Sequence, residues 1–326
     1  MRRLPALLSV VLIGPAATLT VPAAAEAAVP DVVRAVQNQL AKGASVKFTQ
    51  YGQVYFGARN KYDNHQARVF RFQLIKNGTL LLGRRGVVAA GITRRVEFNR
   101  HLLPLAEEHA AEGDLVSRSL IAQTRPHRWV NTNGRFYSTG RLWTAGLPKG
   151  RTWAERGKYT AGATAFSDQI INVFETATLK ALIADADERK YNLPDPSGKT
   201  PDLKVTGFYA GTITFAELYK LSPTFREVAG RTPDPSYANL VLGWRIVFDR
   251  RGLPFKVTSD WSTQEKKKPY SDGGAAIDIQ SWDAATTVTA PKPAQTAVVR
   301  APVGGLPELD DMAEFIREDA RPTVGQ

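Results

Sequence analysis

Residues 240–261 read LVLGWRIVFDRRGLPFKVTSDW. Leu240, Leu242, Trp244, Ile246 and Phe248 fall on one parity, polar or small residues on the other, and Asp249-Arg250-Arg251-Gly252 carries the turn chemistry that reverses the chain. Leu253, Phe255, Val257 and Trp261 then share a face on the way back. Period two on both sides of a tight turn predicts an antiparallel hairpin with one buried face. The same pattern recurs upstream. Val46, Phe48, Gly52, Val54 and Phe56 alternate with Lys47, Thr49, Tyr51, Gln53 and Tyr55. Phe70, Phe72 and Leu74 alternate with Arg71 and Gln73. Lys76-Asn77-Gly78-Thr79 supplies an Asn-Gly pair suited to a two-residue turn, with Leu80 and Leu82 on the return strand. A second Asn-Gly turn is expected within Asn131-Thr132-Asn133-Gly134, joining a strand through Trp129 to one through Phe136.

Helical signals are fewer. Pro30 to Leu40 places Val32, Val33, Val36 and Leu40 on one stripe and stops at Gly43. A polar, helix-permissive stretch runs from Leu102 to Arg118. Ser167 is expected to cap a longer helix through Ile170, Phe174 and Leu182, ending near Arg189-Lys190. Thr214 with Glu217, and Thr224 with Glu227, have the spacing of capping boxes and predict two short helices broken at Pro223. The order is a helix, a long meander, a helical insertion and more meander. That predicts one α+β domain.

The ends read differently. Arg2 and Arg3, an apolar run from Leu4 to Val21, and small residues up to Ala27 form the pattern of an export leader over 1–27. The domain is expected over 28–290. A linker rich in proline and alanine and an acidic tail follow over 291–326, with Leu309, Met312, Phe315 and Ile316 as a short apolar stripe.

Composition removes several functions. The 326 residues contain no cysteine, which excludes disulfides, thiolate-held metals, a thiol nucleophile and the lipobox cysteine of a diacylated anchor. The formal charge of +12 suits an anionic partner such as a phospholipid surface, and Arg84, Arg85, Arg250 and Arg251 in turns are candidates for head-group contact. A merely solvated basic surface accounts for the charge equally well. No nucleic-acid motif interleaves these charges with stacking aromatics. The histidines, His65, His101, His109 and His127, have no metal-site spacing, and Glu107, Glu108 and His109 read as a solvated face. No nucleophile elbow, phosphate loop or dinucleotide fingerprint is present, so neither an enzyme nor a cofactor or metal is expected. A monomer is expected.

What remains is apolar. Six tryptophans and 14 phenylalanines fall largely on the inner parity of strands. They could fill an ordinary core or line a ligand cavity.

Four segments carry a resemblance. Gly243 to Pro254 followed by Tyr270 to Ile279 resembles the closing hairpin and last strand of the LolA-like lipoprotein-carrier superfamily, in particular its actinobacterial LppX and LprG branch. Leu147-Pro148-Lys149-Gly150-Arg151-Thr152-Trp153 and Gly211 to Leu218 resemble two further elements of that branch. The resemblance implies a strongly curved antiparallel half-barrel wrapped around a few helices, and non-enzymatic carriage of a lipid or other amphiphile in an apolar cavity at the cell envelope. Phe48, Val54, Phe56, Phe70, Phe72, Leu74, Leu80 and Leu82 would form one wall, Trp244, Ile246, Phe248, Phe255 and Val257 the other, and Ile170, Phe174 and Leu182 a lid or plug. An envelope signalling or assembly module binding a protein partner through the same half-barrel is the alternative. The stretch from Leu102 to Arg118 and the acidic tail have no counterpart in that branch.

Overall fold

The computed structural model describes residues 30–58, 68–98, 103–167, 170–191, 205–230, 232–233, 238–262 and 270–300, without the side chains of residues 54–58, 68–71, 116, 205–206, 262 and 270–272. The stretches read as an export leader and an acidic tail lie outside the described residues.

Alternation becomes strand wherever it was read. β1 (Ser45–Ala58), β2 (Arg68–Gly83), β3 (Gly86–Phe98), β4 (His127–Thr132), β5 (Arg135–Ser138), β6 (Trp153–Glu155), β7 (Glu188–Tyr191), β8 (Val205–Thr214), β9 (Val241–Asp249), β10 (Pro254–Ser262), β11 (Tyr270–Trp282) and β12 (Thr296–Val298) join in one sheet. Its order is β12-β6-β5-β4-β3-β2-β1-β11-β10-β9-β8-β7. Every pairing is antiparallel except β12 on β6, which is parallel, and β12 and β7 are left as edges. The fold is thus α+β, built on a large, open, curved mixed sheet. Register shifts at Lys47/Phe48, Leu81/Leu82, Pro254/Lys256 and Val205/Gly207 supply bends, because an extra residue on one strand tightens the local coil.

The helices are α1 (Val32–Lys42), α2 (Leu103–Ala111), α3 (Leu115–Ala122), α4 (Arg141–Thr144), α5 (Ala161–Phe166), α6 (Thr176–Ala184), α7 (Phe215–Leu221) and α8 (Pro223–Ala229). The main core lies between the inner face of the sheet and α1, α5, α6, α7 and α8. Val36, Leu40, Phe166, Leu179, Phe215, Leu218 and Phe225 meet Val46, Leu80, Ile92, Leu242, Ile246 and Ile277 there. α1 starts where Asp31 accepts the Arg34 N–H at 2.9 Å and stops at Gly43, whose φ of 68° closes the last turn at no Cβ cost.

Four local expectations fail, each for a tertiary reason. Asn77 and Gly78 make no turn. They continue β2, and the chain reverses at Arg84-Arg85. Gly78 is there because a Cβ would stand 2.7 Å from the Gly91 carbonyl and 2.9 Å from the Phe48 ring. The true Asn-Gly hairpin is at Asn133 and Gly134, whose φ angles of 54° and 69° fit a primed turn. Ser167 does not start a helix. It closes α5, and the chain runs irregularly through Ile170, at φ 66°, to Glu175 before α6 begins. Arg189 and Lys190 lie in β7 rather than at a helix end.

The second expected capping box is rewired. Thr214 and Glu217 cap α7 reciprocally as read, but Ser222 caps α8. Glu175 accepts the Thr224 N–H at 2.7 Å and the Ser222 hydroxyl at 2.7 Å, and Glu227 accepts the Thr160 N–H at 2.7 Å. Both carboxylates tie the helical insertion together instead.

The stretch read as linker is a strap. Ser45 Oγ donates to the Ala284 carbonyl, and Val288 lies within 3.6 Å of where a Gly91 Cβ would stand. Thr152 N–H donates to Gln295 O at 2.9 Å. Ser45 and Gly91 have the outward parity, so the chain crosses the convex face and ends as β12 on the edge of β6. Proline content marked it as irregular but carried no information about what it lies on.

Candidate functional site

The concave face can be built strand by strand from its register. Phe48, Leu80 and Leu82 from one wall, Trp244, Ile246, Phe248 and Val257 from the other, and Ile170, Phe174 and Leu182 from the insertion come together in the main core. Phe72 and Leu74 sit apart, in a second cluster with Val96, Leu120 and Phe98. Phe255 is half-buried beside the register shift between Pro254 and Lys256 and belongs to neither cluster, because the extra residue turns it away from the parity of Val257. Val54, Phe56 and Phe70 lie outside the described side chains.

Four inward aromatics of this face share one device. Phe48 stands directly opposite Gly78, Trp244 opposite Gly211, Phe248 opposite Gly207 and Trp261 opposite Gly273. A Cβ on these glycines would meet Phe48 at 2.9 Å, Trp244 at 2.9 Å, Phe248 at 2.8 Å and Trp261 at 2.7 Å. Each ring therefore lies across its partner's backbone along the wall. A glycine is poor in a strand on its own, and a ring lying over it both shields the backbone and restores buried area.

A polar row interrupts the apolar wall. Gln50, Lys76, Arg94 and His127 are consecutive partners across β1, β2, β3 and β4. All four are buried, the first three at 0% exposure. Lys76 Nζ donates to Ser167 Oγ at 2.9 Å, and Arg94 Nη1 donates to Gln123 Oε1. Arg94 Nη1 also lies 3.3 Å from His127 Nε2. Guanidinium offers only donors, so Nε2 is the acceptor and the imidazole proton is on Nδ1. Burial first, then Arg94, with Lys76 and Arg156 adding, push His127 down to about 3 against an opposing backbone bond at Arg125. The ring is neutral at ordinary pH. Trp129, on the parity of His127, holds Lys76 Nζ 5.1 Å and the Arg94 guanidinium 5.2 Å from its ring centroid, within cation–π range.

This row was missed by sequence reasoning although its signal was present. Lys76 has the parity of Phe72, Leu74 and Leu80, and a charge on an apolar parity is the clue. Assigning Lys76 to a turn hid it.

The basic turns fall on one rim. β2 ends and β10 begins at the same end of the sheet, so Arg84 and Arg85 in one turn and Arg250 and Arg251 in the other are exposed along the same side. Arg251 is held by Asp249 at 2.7 Å. Asp249, 3% exposed, also accepts the Arg251 and Leu253 N–H groups at 2.8 and 3.0 Å. Among the described residues, no group of three histidine, aspartate or glutamate side chains could hold a metal, and no helix is long and apolar enough to cross a membrane.

No protein-family profile matches the chain, and no curated protein matches it. Solved structures give distant likenesses. A lipovitellin structure concerned with lipid–protein interactions is 9% identical, with a TM-score of 0.26 over 81% of this chain and 27% of its own, so this chain spans about a quarter of that protein. A DUF1329 family protein from Desulfovibrio piger is 7% identical, with a TM-score of 0.26 over 79% of this chain and 92% of its own. A β-barrel-like DUF1849 protein from Brucella abortus is 9% identical, with a TM-score of 0.19 over 72% of this chain and 98% of its own. At such TM-scores none of the three bears on what this chain does.

Proposed function

We propose that the chain is an exported, non-enzymatic binding protein that carries a lipid or other amphiphile against the concave face of a LolA-like half-barrel, of the LppX and LprG type. The observation that supports this is the set of glycine–aromatic pairs. Rings that lie along a curved wall, instead of standing out from it, present flat apolar faces to the helices that cover the sheet, and a guest would enter between the two. Such a wall offers dispersion contact without fixed polar geometry, which is what an acyl chain requires. The residues that contact the guest are those named above from the two walls and from the segment Ile170 to Leu182. Arg84, Arg85, Arg250 and Arg251 would face anionic head groups at the cell envelope, where a monomer collects or delivers its cargo.

Burial of each methylene contributes about 0.8 kcal/mol, so affinity should climb with chain length. The test is native mass spectrometry of protein recovered from its host, followed by melting curves with saturated amphiphiles of increasing length. Bound lipid and a melting temperature that rises with length are expected. A bare mass together with a flat series would refute carriage, and a stable protein partner under those same conditions would select the assembly module instead.

A further inference from the structure

We infer that the convex face of β4, β5, β6 and β12 is the docking surface for the chain's own acidic segment, residues 308–319, which folds back onto the sheet edge it has just left. The inference stands whether or not the concave face carries a guest.

Charge is the first support. Of the 34 residues from 125 to 158, eight are arginine or lysine and one, Glu155, is acidic. Glu155 pairs with Arg135 at 3.3 Å. Arg125, Arg128, Arg141, Lys149 and Lys158 are exposed, and none of these five pairs with a carboxylate of the described residues. Crowding of one sign opposes the compact state until a counter-charge covers it. Residues 308–319 bring six carboxylates against a single arginine.

The second support is how the sheet arranges that charge. Gly91, Val130, Tyr137, Glu155 and Val298 are successive partners from β3 out to β12. Arg128, Arg135 and Trp153 lie two residues from members of this row and share its outward parity. The Arg128 guanidinium lies 5.8 Å from the centroid of the Trp153 ring. Thr139 N–H donates to the Arg128 carbonyl at 2.9 Å, which brings Arg141 to the same corner. Val298 is 75% exposed and Trp153 half-buried. The cations therefore flank a short apolar strip. Leu309, Met312, Phe315 and Ile316 recur at the spacing of one helical face, with the acidic residues interspersed. Such a segment can lay its stripe on Trp153 and Val298 while its carboxylates reach the cations on either side.

The third is the tether. Val299 N–H donates to the Glu155 carbonyl at 2.9 Å, so the chain leaves β12 on this face. Residues 301–307 then span at most about 25 Å. That holds the acidic segment near the surface at an effective concentration of about millimolar, so contacts too weak for a free peptide suffice.

The test uses the full chain. It has no cysteine, so Ala320→Cys accepts one nitroxide, and the broadening of backbone amide signals by that label maps where the segment lies. Arg128, Trp153 and Val298 should be broadened most at 0.1 M salt. The effect should drop about threefold or more at 1 M, where the screening length falls from about 10 Å to about 3 Å. Neutralising the segment with Asp310→Asn, Asp311→Asn and Glu314→Gln should cause the same loss at low salt. So should Arg128→Gln with Lys149→Gln on the surface, while Lys180→Gln, on α6, should change nothing. Broadening that is indifferent to salt and to these variants would overturn the inference, since a tether passing near the edge would produce it without docking. Broadening centred elsewhere, such as on Arg84 and Arg250, would overturn it too. So would broadening that passes in full from a labelled copy to an unlabelled, isotope-enriched one, which would make the contact one between two chains.

Discussion

Acid should destabilise this protein in part through one imidazole. His127 ionises near 3 in the folded chain against about 6.5 in an unfolded one. Above pH 6.5 the ring is neutral in both states and its contribution is complete. Below it the unfolded chain takes up a proton that the folded chain refuses, so stability falls by about 1.4 kcal/mol per pH unit until the folded ring also titrates near 3. The loss is about 2 kcal/mol by pH 5 and about 4 to 5 kcal/mol over the whole span, against a total of roughly 5–15 kcal/mol for a typical domain. His127→Gln isolates this contribution, because a glutamine oxygen can still accept from Arg94 but has no proton equilibrium. Urea unfolding of both proteins, followed by tryptophan fluorescence at pH 7.5, 6.5, 5.5 and 4.5, gives the difference in stability, in which every other titrating group cancels. The variant should gain on the wild type by about 1.4 kcal/mol for each unit below 6.5. Parallel stability curves down to pH 4.5 would refute the assignment of a buried neutral imidazole beside Arg94.

Gly78→Ala should cost about 2–3 kcal/mol in urea unfolding, because the added carbon meets a backbone oxygen that cannot move aside. Gly134→Ala should cost only about 1–2 kcal/mol, the strain of a left-handed φ at a site with nothing within 4 Å. If the two proved equal, the contrast drawn between strand glycine and turn glycine would be wrong. Asp249→Ala should lower stability by about 2–3 kcal/mol, since it leaves the buried Leu253 N–H without its acceptor; a change in melting temperature within error would contradict the role given to that carboxylate. Thr214→Ala should cost about 1 kcal/mol. It should also raise the Glu217 carboxyl, which the Thr214 backbone and hydroxyl now hold below its usual range, as an NMR titration would record.

Legibility in the sequence followed the range of the interaction. Elements set by neighbours along the chain were readable: α1 from its stripe and Gly43, the hairpin at Asp249 to Gly252, the turn at Asn133-Gly134 and the cap at Thr214. Asn77-Gly78 has the same dipeptide as a real turn, yet its conformation is decided by Phe48 and Gly91, which belong to two other strands. Ser167 looks like a helix start, while in the structure its hydroxyl accepts from Lys76, far off in sequence. For the site, parity located Phe48, Leu80, Trp244, Ile246 and Val257 on the inner face, because alternation is a local property. It misplaced Phe255, since a bulge cannot be read from one strand alone. The row from Gln50 to His127 depends on register across four strands, which no single stretch of sequence encodes.

The pairing of β1 with β11, register Val46 to Trp282 through Gly57 to Tyr270, sets the order in which the molecule can assemble. The middle of the sheet is a seam between the first and last long strands, and loop closure over such a separation is slow. Until β11 has been synthesised, β1 and β10 each present a raw flank of unpaired amides, so a chain stopped at residue 262 would hold two half-sheets inviting self-association. Maturation therefore hinges on a late stitch at the centre rather than on growth outward from a finished nucleus.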